Sequence, residues 1–459
     1  MAAERTAKPK RPARDLPRIA GWARRALALV LLTAGLGLAR AGGENPGGEH
    51  RVVVITPHID AIRYEFGRAF AAWSGAEVEW RNVGGTADAV RFVQSEFAGK
   101  PEGIGIDCLF GGGLEPYLLL GDKHLLQTYR PPKEILAGIP REVNGVPVYD
   151  PQGAWFGAAL SSFGILQNLR VQRIERLAPA RRWEDLAQPA LFGWVGAGDP
   201  RNSGTMNVMF EAFLQYFGWE KGWRVLTEIG GNVRSFDRVS STTAKAVTLG
   251  ETAYAFAIDF YGFTQVAAVG RTNLSFALAQ DFTAISPDGL ALLKGAPHPE
   301  AGRRFIDFVL SEAGQKLWLL PRGHPEGPQR YSIERMPVRP ELYRRYQEVS
   351  NVEFSPFELK QSFVYDAKLS RARREVVAAL VGALLVDTHA ELQAAWRAIR
   401  KRQLPAPDLA ELGRMPVSEA EAMRLATGPW KDPAFRNLKK IEWQRWAEDK
   451  YRRLGREGG

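Results

Sequence analysis

Cysteine is nearly absent from this sequence. Among its 459 residues only Cys108 is a cysteine, so no disulfide can form within one chain. A chain of this length can instead be stabilised by burying apolar residues, which make up 45% of the composition. Because Cys108 lies in an apolar stretch, we interpret it as a small buried side chain rather than as a nucleophile.

Histidine and the common catalytic motifs are also scarce. The six histidines include no pair with metal-ligand spacing. The sequence has no G-x-S-x-G element, no Walker loop and no G-x-G-x-x-G after a strand. We therefore expect no metal, no cofactor and no enzymatic activity. An exported α/β enzyme that acts on a phosphorylated substrate is the alternative from another class.

Positive charge is concentrated at one end of the chain. The formal net charge is +10, but residues 1–41 hold 9 Lys and Arg against 2 Asp and Glu, whereas the remainder holds 52 against 49. The body of the protein is therefore close to neutral, which argues against nucleic acid as a partner.

Residues 1–41 have the features of a signal peptide. Arg24 and Arg25 precede an apolar run that ends in the A-x-A pattern Ala39–Arg40–Ala41. The run has about 14 residues, fewer than the roughly 20 that a membrane-spanning helix needs. We predict a periplasmic protein that is cleaved near Ala41 and has a linker at 42–50; an uncleaved anchor is the alternative.

Strand and helix patterns alternate after residue 50, which favours an α/β fold with parallel strands. The order is a strand at 51–56, a helix carrying Ile62, Phe66, Phe70 and Trp73, a strand at 77–83, a helix at 84–97 capped by Thr86, and a strand at 105–113. The length calls for two or more lobes. We expect lobe 1 to begin at 51–156, lobe 2 at 157–274, a return to lobe 1 at 275–350, and a C-terminal helical region at 351–459 that packs on the lobes.

Short polar or glycine-rich turns follow several predicted strands. They lie at 56–60, 83–88, 110–116, 201–205 and 240–243. In parallel sheets such turns share one edge, where helix N-termini present free N–H groups and partial positive charge. Each turn alone is equally well explained as a helix cap, but five of them in two α/β units predict an anion-binding cleft between the lobes.

An ordered set of segments resembles a known family. The set includes "VVVITPHIDAIRYEFGRAF", "VEWRNVGGT", "IDCLFGGG", "DPRNSGT", "FAIDFYG" and "FIDFVLSEAGQ". It is similar to the periplasmic solute-binding proteins of ABC importers, in the branch that contains ferric-iron, hexose-phosphate and aminoethylphosphonate binders. The resemblance implies the type II fold of two α/β lobes, each a mainly parallel sheet flanked by helices, with a solute held between them. It also implies a monomer that delivers the solute to a permease in the inner membrane; a sensory role is an alternative.

The resemblance also implies a set of ligand-binding residues. They would hold a phosphate ester, phosphonate, sulfonate or carboxylate, and they are His58, Thr86, Gly112, Gly113, Ser203, Gly204, Thr205, Ser241, Asp259 and Tyr261. Because Asp259 would repel an anion, we assign it to hydroxyls or an amine of the ligand.

Ferric iron is the alternative ligand. Ferric members of the family have a histidine after the first strand, an acid after the third strand and two adjacent tyrosines. Here His58 matches, the acid position falls in Gly111–Gly113, and the tyrosine pair is Tyr261–Gly262. One tyrosine and one histidine are a poor ligand set for Fe(III), which prefers several anionic oxygens.

Overall fold

The computed structural model describes residues 50–359 and 363–456. The predicted signal peptide and nearly all of the linker at 42–50 lie outside these residues, so cleavage near Ala41 stays a prediction. Within the described part of the chain, no helix is both long enough and apolar enough to cross a membrane.

In the described residues, thirteen strands form the sheets of the two lobes and one small hairpin. They are β1 (Arg51–Thr56), β2 (Glu77–Asn82), β3 (Cys108–Phe110), β4 (Leu126–Gln127), β5 (Glu142–Val143), β6 (Val146–Pro147), β7 (Phe156–Ser161), β8 (Phe163–Asn168), β9 (Val195–Gly198), β10 (Val233–Asp237), β11 (Tyr254–Ile258), β12 (Leu274–Leu278) and β13 (Ser286–Leu293).

Seventeen α-helices within residues 50–359 and 363–456 surround these sheets and build the C-terminal region. They are α1 (Asp60–Ser74), α2 (Thr86–Gly99), α3 (Glu115–Asp122), α4 (Lys133–Leu136), α5 (Leu169–Glu175), α6 (Gly204–Phe217), α7 (Trp219–Asn232), α8 (Ser240–Leu249), α9 (Asp259–Val269), α10 (Pro299–Leu310), α11 (Glu312–Leu319), α12 (Pro340–Arg345), α13 (Ala367–Val381), α14 (His389–Lys401), α15 (Ala406–Gly413), α16 (Glu419–Thr427) and α17 (Pro433–Arg456).

Each lobe contains one mixed sheet. The strand order is β2-β1-β3-β13 in lobe 1, where β4 and β7 both pair with β13, and β10-β9-β11-β8-β12 in lobe 2. Strands β1, β2 and β3 are parallel, as are β9, β10 and β11. The α/β architecture is confirmed, but the sheets are less parallel than we expected. Strands β7, β8, β12 and β13 run antiparallel to their neighbours because they lie where the chain passes between lobes.

The two crossings correct the predicted lobe boundaries. Strand β7 belongs to lobe 1 and β8 to lobe 2, so the chain first crosses at Ser162 rather than at residue 157. The return runs through residues 279–285, after β12, rather than from residue 275. Both crossing strands are buried along their whole length, so they have no alternating pattern that would mark a boundary.

The periodic helices lie where the sequence predicts them. Helix α1 buries Ile62, Phe66 and Phe70, but Trp73 is 48% exposed because it lies at the far end of the apolar stripe. In α2 the cap is Gly85, and Thr86 is the first helical residue; the Asp88 carboxylate accepts the Gly85 N–H. Cys108 is buried in β3, as expected.

The C-terminal helices pack mainly on lobe 2. Side chains of α13, α14 and α17 share one continuous apolar core with β9, β11, α6 and α7. Gly231 of α7 lies directly against Trp396 of α14, whose indole N–H donates to Asn232. The expected helical region therefore extends the core of one lobe instead of forming a separate domain.

Candidate ligand-binding site

The turns at the strand ends converge on a cavity between the lobes. Its volume is about 240 Å³, below the roughly 300–1,000 Å³ of cavities that take drug-sized ligands. Lobe 1 contributes the turns after β1, β2 and β3, lobe 2 contributes the N-terminus of α6 and the end of β11, and the C-terminal region contributes residues 365–374. A depression of about 310 Å³ beside α9 receives none of these turns, so we place the site between the lobes.

Glycines after β3 allow this turn to lie close to its neighbours. Gly111, Gly112 and Gly113 all have left-handed φ values, between 78° and 100°. A Cβ on Gly112 would lie 2.8 Å from Cγ2 of Thr86, and a Cβ on Gly111 would lie 2.5 Å from Nε2 of His58. The backbone conformation therefore favours glycine at all three positions, and close packing requires it at Gly111 and Gly112.

Two helix N-termini offer donors to the cavity, one from each lobe. Thr86 opens α2, and Gly204 and Thr205 open α6. Within residues 50–359 and 363–456, the backbone N–H groups of these three residues have no protein acceptor. Free N–H groups at a helix N-terminus bind anions well, because the helix dipole adds partial positive charge there.

Ser203 acts as a helix cap. Its Oγ accepts the N–H of Met206 at 3.2 Å and lies 2.6 Å from Oγ of Ser240. The side chain is buried behind the first turn of α6 and does not line the cavity. The structure thus places the Ser203 hydroxyl against Met206 and Ser240 rather than on the cavity wall, and donation by Ser203 to the ligand stays a prediction.

His58 lines the cavity as a neutral ring. Burial, with help from nearby Arg335, lowers its pKa to about 3. The ring packs edge-on against Phe110, with centroids 4.6 Å apart, and its buried Nε2 has no partner among the described residues. A neutral imidazole can donate to a ligand oxygen or accept from a ligand hydroxyl.

Arg335 is a cation that the sequence-based prediction missed. It lies 4.5 Å above the ring of Phe260, donates to Ser161 Oγ at 2.7 Å and pairs with Asp288. Burial alone would raise the pKa of Asp288. Arg335, together with the Gly113 N–H, instead holds the pKa of this carboxyl below its usual range. The Nε of Arg335 has no partner in the described part of the chain, so the guanidinium has unused donor capacity beside the cavity.

Arg374 is a second cation on the cavity wall, also missed. It lies on α13, is about one-third exposed, and pairs with the buried Glu115 at the start of α3. Its Nη2 is the nearest atom to Gly204, 3.7 Å from where a Cβ would be. This atom therefore lies beside the free N–H groups of α6.

The remaining predicted residues fall into two groups. Tyr261 lines the cavity, and burial raises its pKa although the exposed Ser241 hydrogen-bonds to it. Ser241 itself does not line the cavity. Asp259 is fully buried; its oxygens accept from Ser162 N at 2.8 Å and from Phe260 N at 2.7 Å. Asp259 thus holds the backbone of Ser162 and Phe260 and does not line the cavity, and its assignment to the ligand stays a prediction.

The structure thus brings seven predicted residues to the cavity wall. They are His58, Thr86, Gly112, Gly113, Gly204, Thr205 and Tyr261. The charged residues that sequence reasoning missed are Glu115, Asp288, Arg335 and Arg374. Glu115 lies in the turn at 110–116 already singled out, so its position could have suggested it, whereas Asp288 lies inside β13. The arginines lie in segments without a turn motif, and only the folded chain brings them to the site.

Known proteins support the predicted class. Residues 122–327 match the model of a family described as bacterial extracellular solute-binding protein. The phosphoglycerate transport regulatory protein PgtC of Salmonella typhimurium is 26% identical over 294 residues, which cover 63% of this chain and 69% of PgtC.

Solved structures share the fold. The periplasmic binding protein P5PA has a TM-score of 0.56 at 20% identity, covering 70% of this chain and 95% of its own. AfuA from Actinobacillus pleuropneumoniae, solved with fructose-6-phosphate, has a TM-score of 0.54 at 16% identity, covering 77% and 99%. The apo ferric ion-binding protein A of Pasteurella haemolytica has a TM-score of 0.54 at 17% identity, covering 72% and 96%.

These findings confirm the resemblance predicted from the sequence. The fold is that of the type II periplasmic binding proteins, and residues 122–327 resemble bacterial extracellular solute-binding proteins.

Proposed function

We propose that this protein captures a small phosphorylated hydroxy acid or sugar phosphate between its lobes and delivers it to an ABC permease. The observation that supports this most directly is the meeting of two arginines with free helix N–H groups in one cavity. Arg335 and Arg374 would bind anionic groups through charge-assisted hydrogen bonds. The N-termini of α2 and α6 would add backbone donors from opposite lobes.

The charge balance of the cavity selects among anions. Each arginine already faces one carboxylate, Asp288 for Arg335 and Glu115 for Arg374. An inorganic anion would meet these two acids without offering them a donor. A ligand that carries hydroxyl groups besides its phosphate can donate to Asp288 while the arginines hold the anionic oxygens. The charge balance of the cavity therefore favours a phosphorylated polyol or hydroxy acid over bare phosphate.

Two relatives agree with this choice of chemistry. PgtC is named for phosphoglycerate transport, and AfuA was solved with fructose-6-phosphate. Both ligands combine a phosphate with hydroxyl groups, and phosphoglycerate adds a carboxylate. The cavity of about 240 Å³ suits a molecule of this size. We propose further that the mature protein works in the periplasm as a monomer, without nucleic acid and without turning its ligand over.

Ligand binding by the protein that begins after Ala41 tests this function. Calorimetric titration with 3-phosphoglycerate and fructose 6-phosphate should give saturable binding, and glycerate and fructose serve as controls that lack the phosphate. A ligand at 100 times its Kd should stabilise the fold by about 2.7 kcal/mol in a thermal-shift measurement. If glycerate or fructose binds as tightly as its phosphate ester, or if neither ester binds, the proposal is wrong.

Ferric iron remains the second candidate, because His58 and Tyr261 both line the cavity. Within the described residues no group of three or more His, Cys, Asp and Glu side chains could hold a metal ion. Burial also raises the pKa of Tyr261, which disfavours the phenolate that Fe(III) binds. A tyrosinate-to-iron charge-transfer band on addition of ferric citrate, lost in Tyr261→Phe, would favour iron over phosphate esters.

A sensory role is the third possibility, suggested by the word "regulatory" in the name of PgtC. The same ligand site would serve import and sensing. Deleting the gene in its host separates them: loss of solute uptake supports import, whereas intact uptake with a lost transcriptional response supports sensing.

A further inference from the structure

Helix α13 belongs to a part of the chain beyond the family match, which ends at residue 327. Asp366 is the N-terminal cap of the helix, because its carboxylate accepts the N–H groups of Lys368 and Leu369. The two lobe sheets are complete before this point, since their last strand ends at Leu293. The helix therefore follows the last strand of both lobe sheets.

One face of α13 is fixed to lobe 2. Val376, Val377 and Leu380 are buried in the core that lobe 2 shares with the C-terminal helices. Arg373, fully buried, forms an ion pair with Glu211 of α6 at 2.8 Å. An apolar core and a buried ion pair anchor this face, because separating them would expose both apolar surface and an unpaired charge.

The neighbouring edge of α13 contacts lobe 1 through polar groups. Ser370 Oγ donates to Oε1 of Glu115 at 2.6 Å, and Arg374 pairs with Oε2 of the same carboxylate. One turn away, Arg371 pairs with Asp122 at 2.6 Å, near the other end of α3. The helix thus spans the mouth between the lobes, with an apolar attachment on one side and three polar contacts on the other.

Of the three α13 residues that contact lobe 1, only Arg374 lines the cavity. Its Nη1 faces Glu115, while its Nη2 lies beside Gly204 at the N-terminus of α6. No protein acceptor for Nη2 is found in the described ranges. The unused guanidinium donors and the free N–H groups of Gly204 and Thr205 therefore face the same space.

We propose that Arg374 of α13 binds the ligand's anionic group, and that Glu115 competes with this group for the guanidinium. The inference rests on the proposed function, since it assumes an anionic ligand. An anion at the N-terminus of α6 would accept the backbone N–H groups of Gly204 and Thr205 and a hydrogen bond from Nη2 of Arg374. Because Arg374 is already paired with Glu115, the affinity of the site depends on which of the two acceptors the guanidinium contacts.

Three variants test the inference by titration with 3-phosphoglycerate. Arg374→Met should raise Kd about 10- to 100-fold, the usual effect of losing a charge-assisted hydrogen bond. Arg374→Lys keeps the charge and should recover most of that loss. Arg371→Met is the matched control, because it removes a contact to lobe 1 from the same helix without touching the cavity; its Kd should stay within about threefold.

Glu115→Gln gives a test that misfolding cannot imitate. Removing the carboxylate frees Arg374 and takes a negative charge from the cavity, so binding should become about 3- to 10-fold tighter. If Arg374→Met binds like wild type, or Glu115→Gln weakens binding, the role of Arg374 is refuted while the proposed function stands. If wild type binds neither 3-phosphoglycerate nor fructose 6-phosphate, the proposed function and this inference both fail.

Discussion

Replacing Arg335 separates its two roles, as partner of Asp288 and as anchor for an anion. The side chain is 1% exposed, and Asp288 is 14% exposed. Arg335→Met keeps a long apolar stem over Phe260 but removes the charge. Asp288 is then left with the Gly113 N–H, at 2.8 Å, as its one remaining close donor among the described residues.

The cost to stability follows from this unpaired carboxylate. Breaking a buried ion pair by removing one partner destabilises a protein by about 3–5 kcal/mol, whereas replacing both partners by neutral groups is often nearly neutral. We therefore expect Arg335→Met to lower the free energy of unfolding by about 3 kcal/mol or more. The double variant Asp288→Asn/Arg335→Met should recover most of this loss, since the amide oxygen of the introduced asparagine can still accept the Gly113 N–H.

Ligand affinity should respond differently. Both variants lack the guanidinium, so both should bind 3-phosphoglycerate about 10- to 100-fold more weakly than wild type. Urea unfolding followed by tryptophan fluorescence measures stability, and calorimetric titration measures Kd. A double variant that is as unstable as the single one would refute the ion-pair reasoning. A stable double variant that binds like wild type would show that Arg335 does not hold the ligand.

Three further predictions concern the cap, the buried histidine and the attachment of the C-terminal helices. Ser203→Ala should cost about 1 kcal/mol of stability in urea and leave Kd within about twofold, because its hydroxyl caps α6; a tenfold weaker Kd would contradict this. The pKa of His58 is about 3 when folded, below 6.5 when unfolded, so the unfolded chain takes up the proton between these values. The contribution of neutral His58 to stability is complete above pH 6.5 and is lost as pH falls towards 3, by up to about 1.4 kcal/mol per pH unit. In urea titrations at several pH values, the free energy of unfolding should therefore change less steeply with pH in His58→Gln than in wild type. Equal slopes would refute the buried neutral ring. Gly231→Ala would place a Cβ 2.5 Å from the Trp396 ring. This overpacking typically costs about 1–3 kcal/mol, so it should outweigh the gain in helix propensity of roughly 1 kcal/mol and lower the Tm. A Tm equal to or above that of wild type would contradict this expectation.

Local patterns predicted the elements of lobe 1 well. The β-branched run at 51–56 is β1 residue for residue, and the spacing of Ile62, Phe66 and Phe70 marks the buried face of α1. These elements follow from side-chain periodicity within a few turns of chain. The lobe crossings could not be placed this way, because β7 and β8 form one buried apolar stretch that changes sheets at Ser162.

The sequence predicted the backbone donors and glycines that line the cavity, but not its charged side chains. Glycines and helix starts at strand ends are local features, so Gly112, Gly204 and Thr205 were found. Arg335 and Arg374 come from segments more than 40 residues beyond the last strand, and one arginine among many gives no signal. Asp259 shows what position alone leaves open: it lies at a strand end as predicted, but its carboxylate accepts from the backbone of Ser162 and Phe260 and does not line the cavity.

The single buried cysteine has a practical consequence for following the motion of the lobes. Cys108 lies inside the lobe 1 sheet with no exposed surface, and burial raises the pKa of its thiol well above the usual range. Thiol-reactive dyes attack the thiolate of exposed cysteines, so the folded native protein should be silent to them. One engineered cysteine on each lobe could then carry a donor and an acceptor dye, and the energy transfer between them would report opening and closing without replacing the native Cys108.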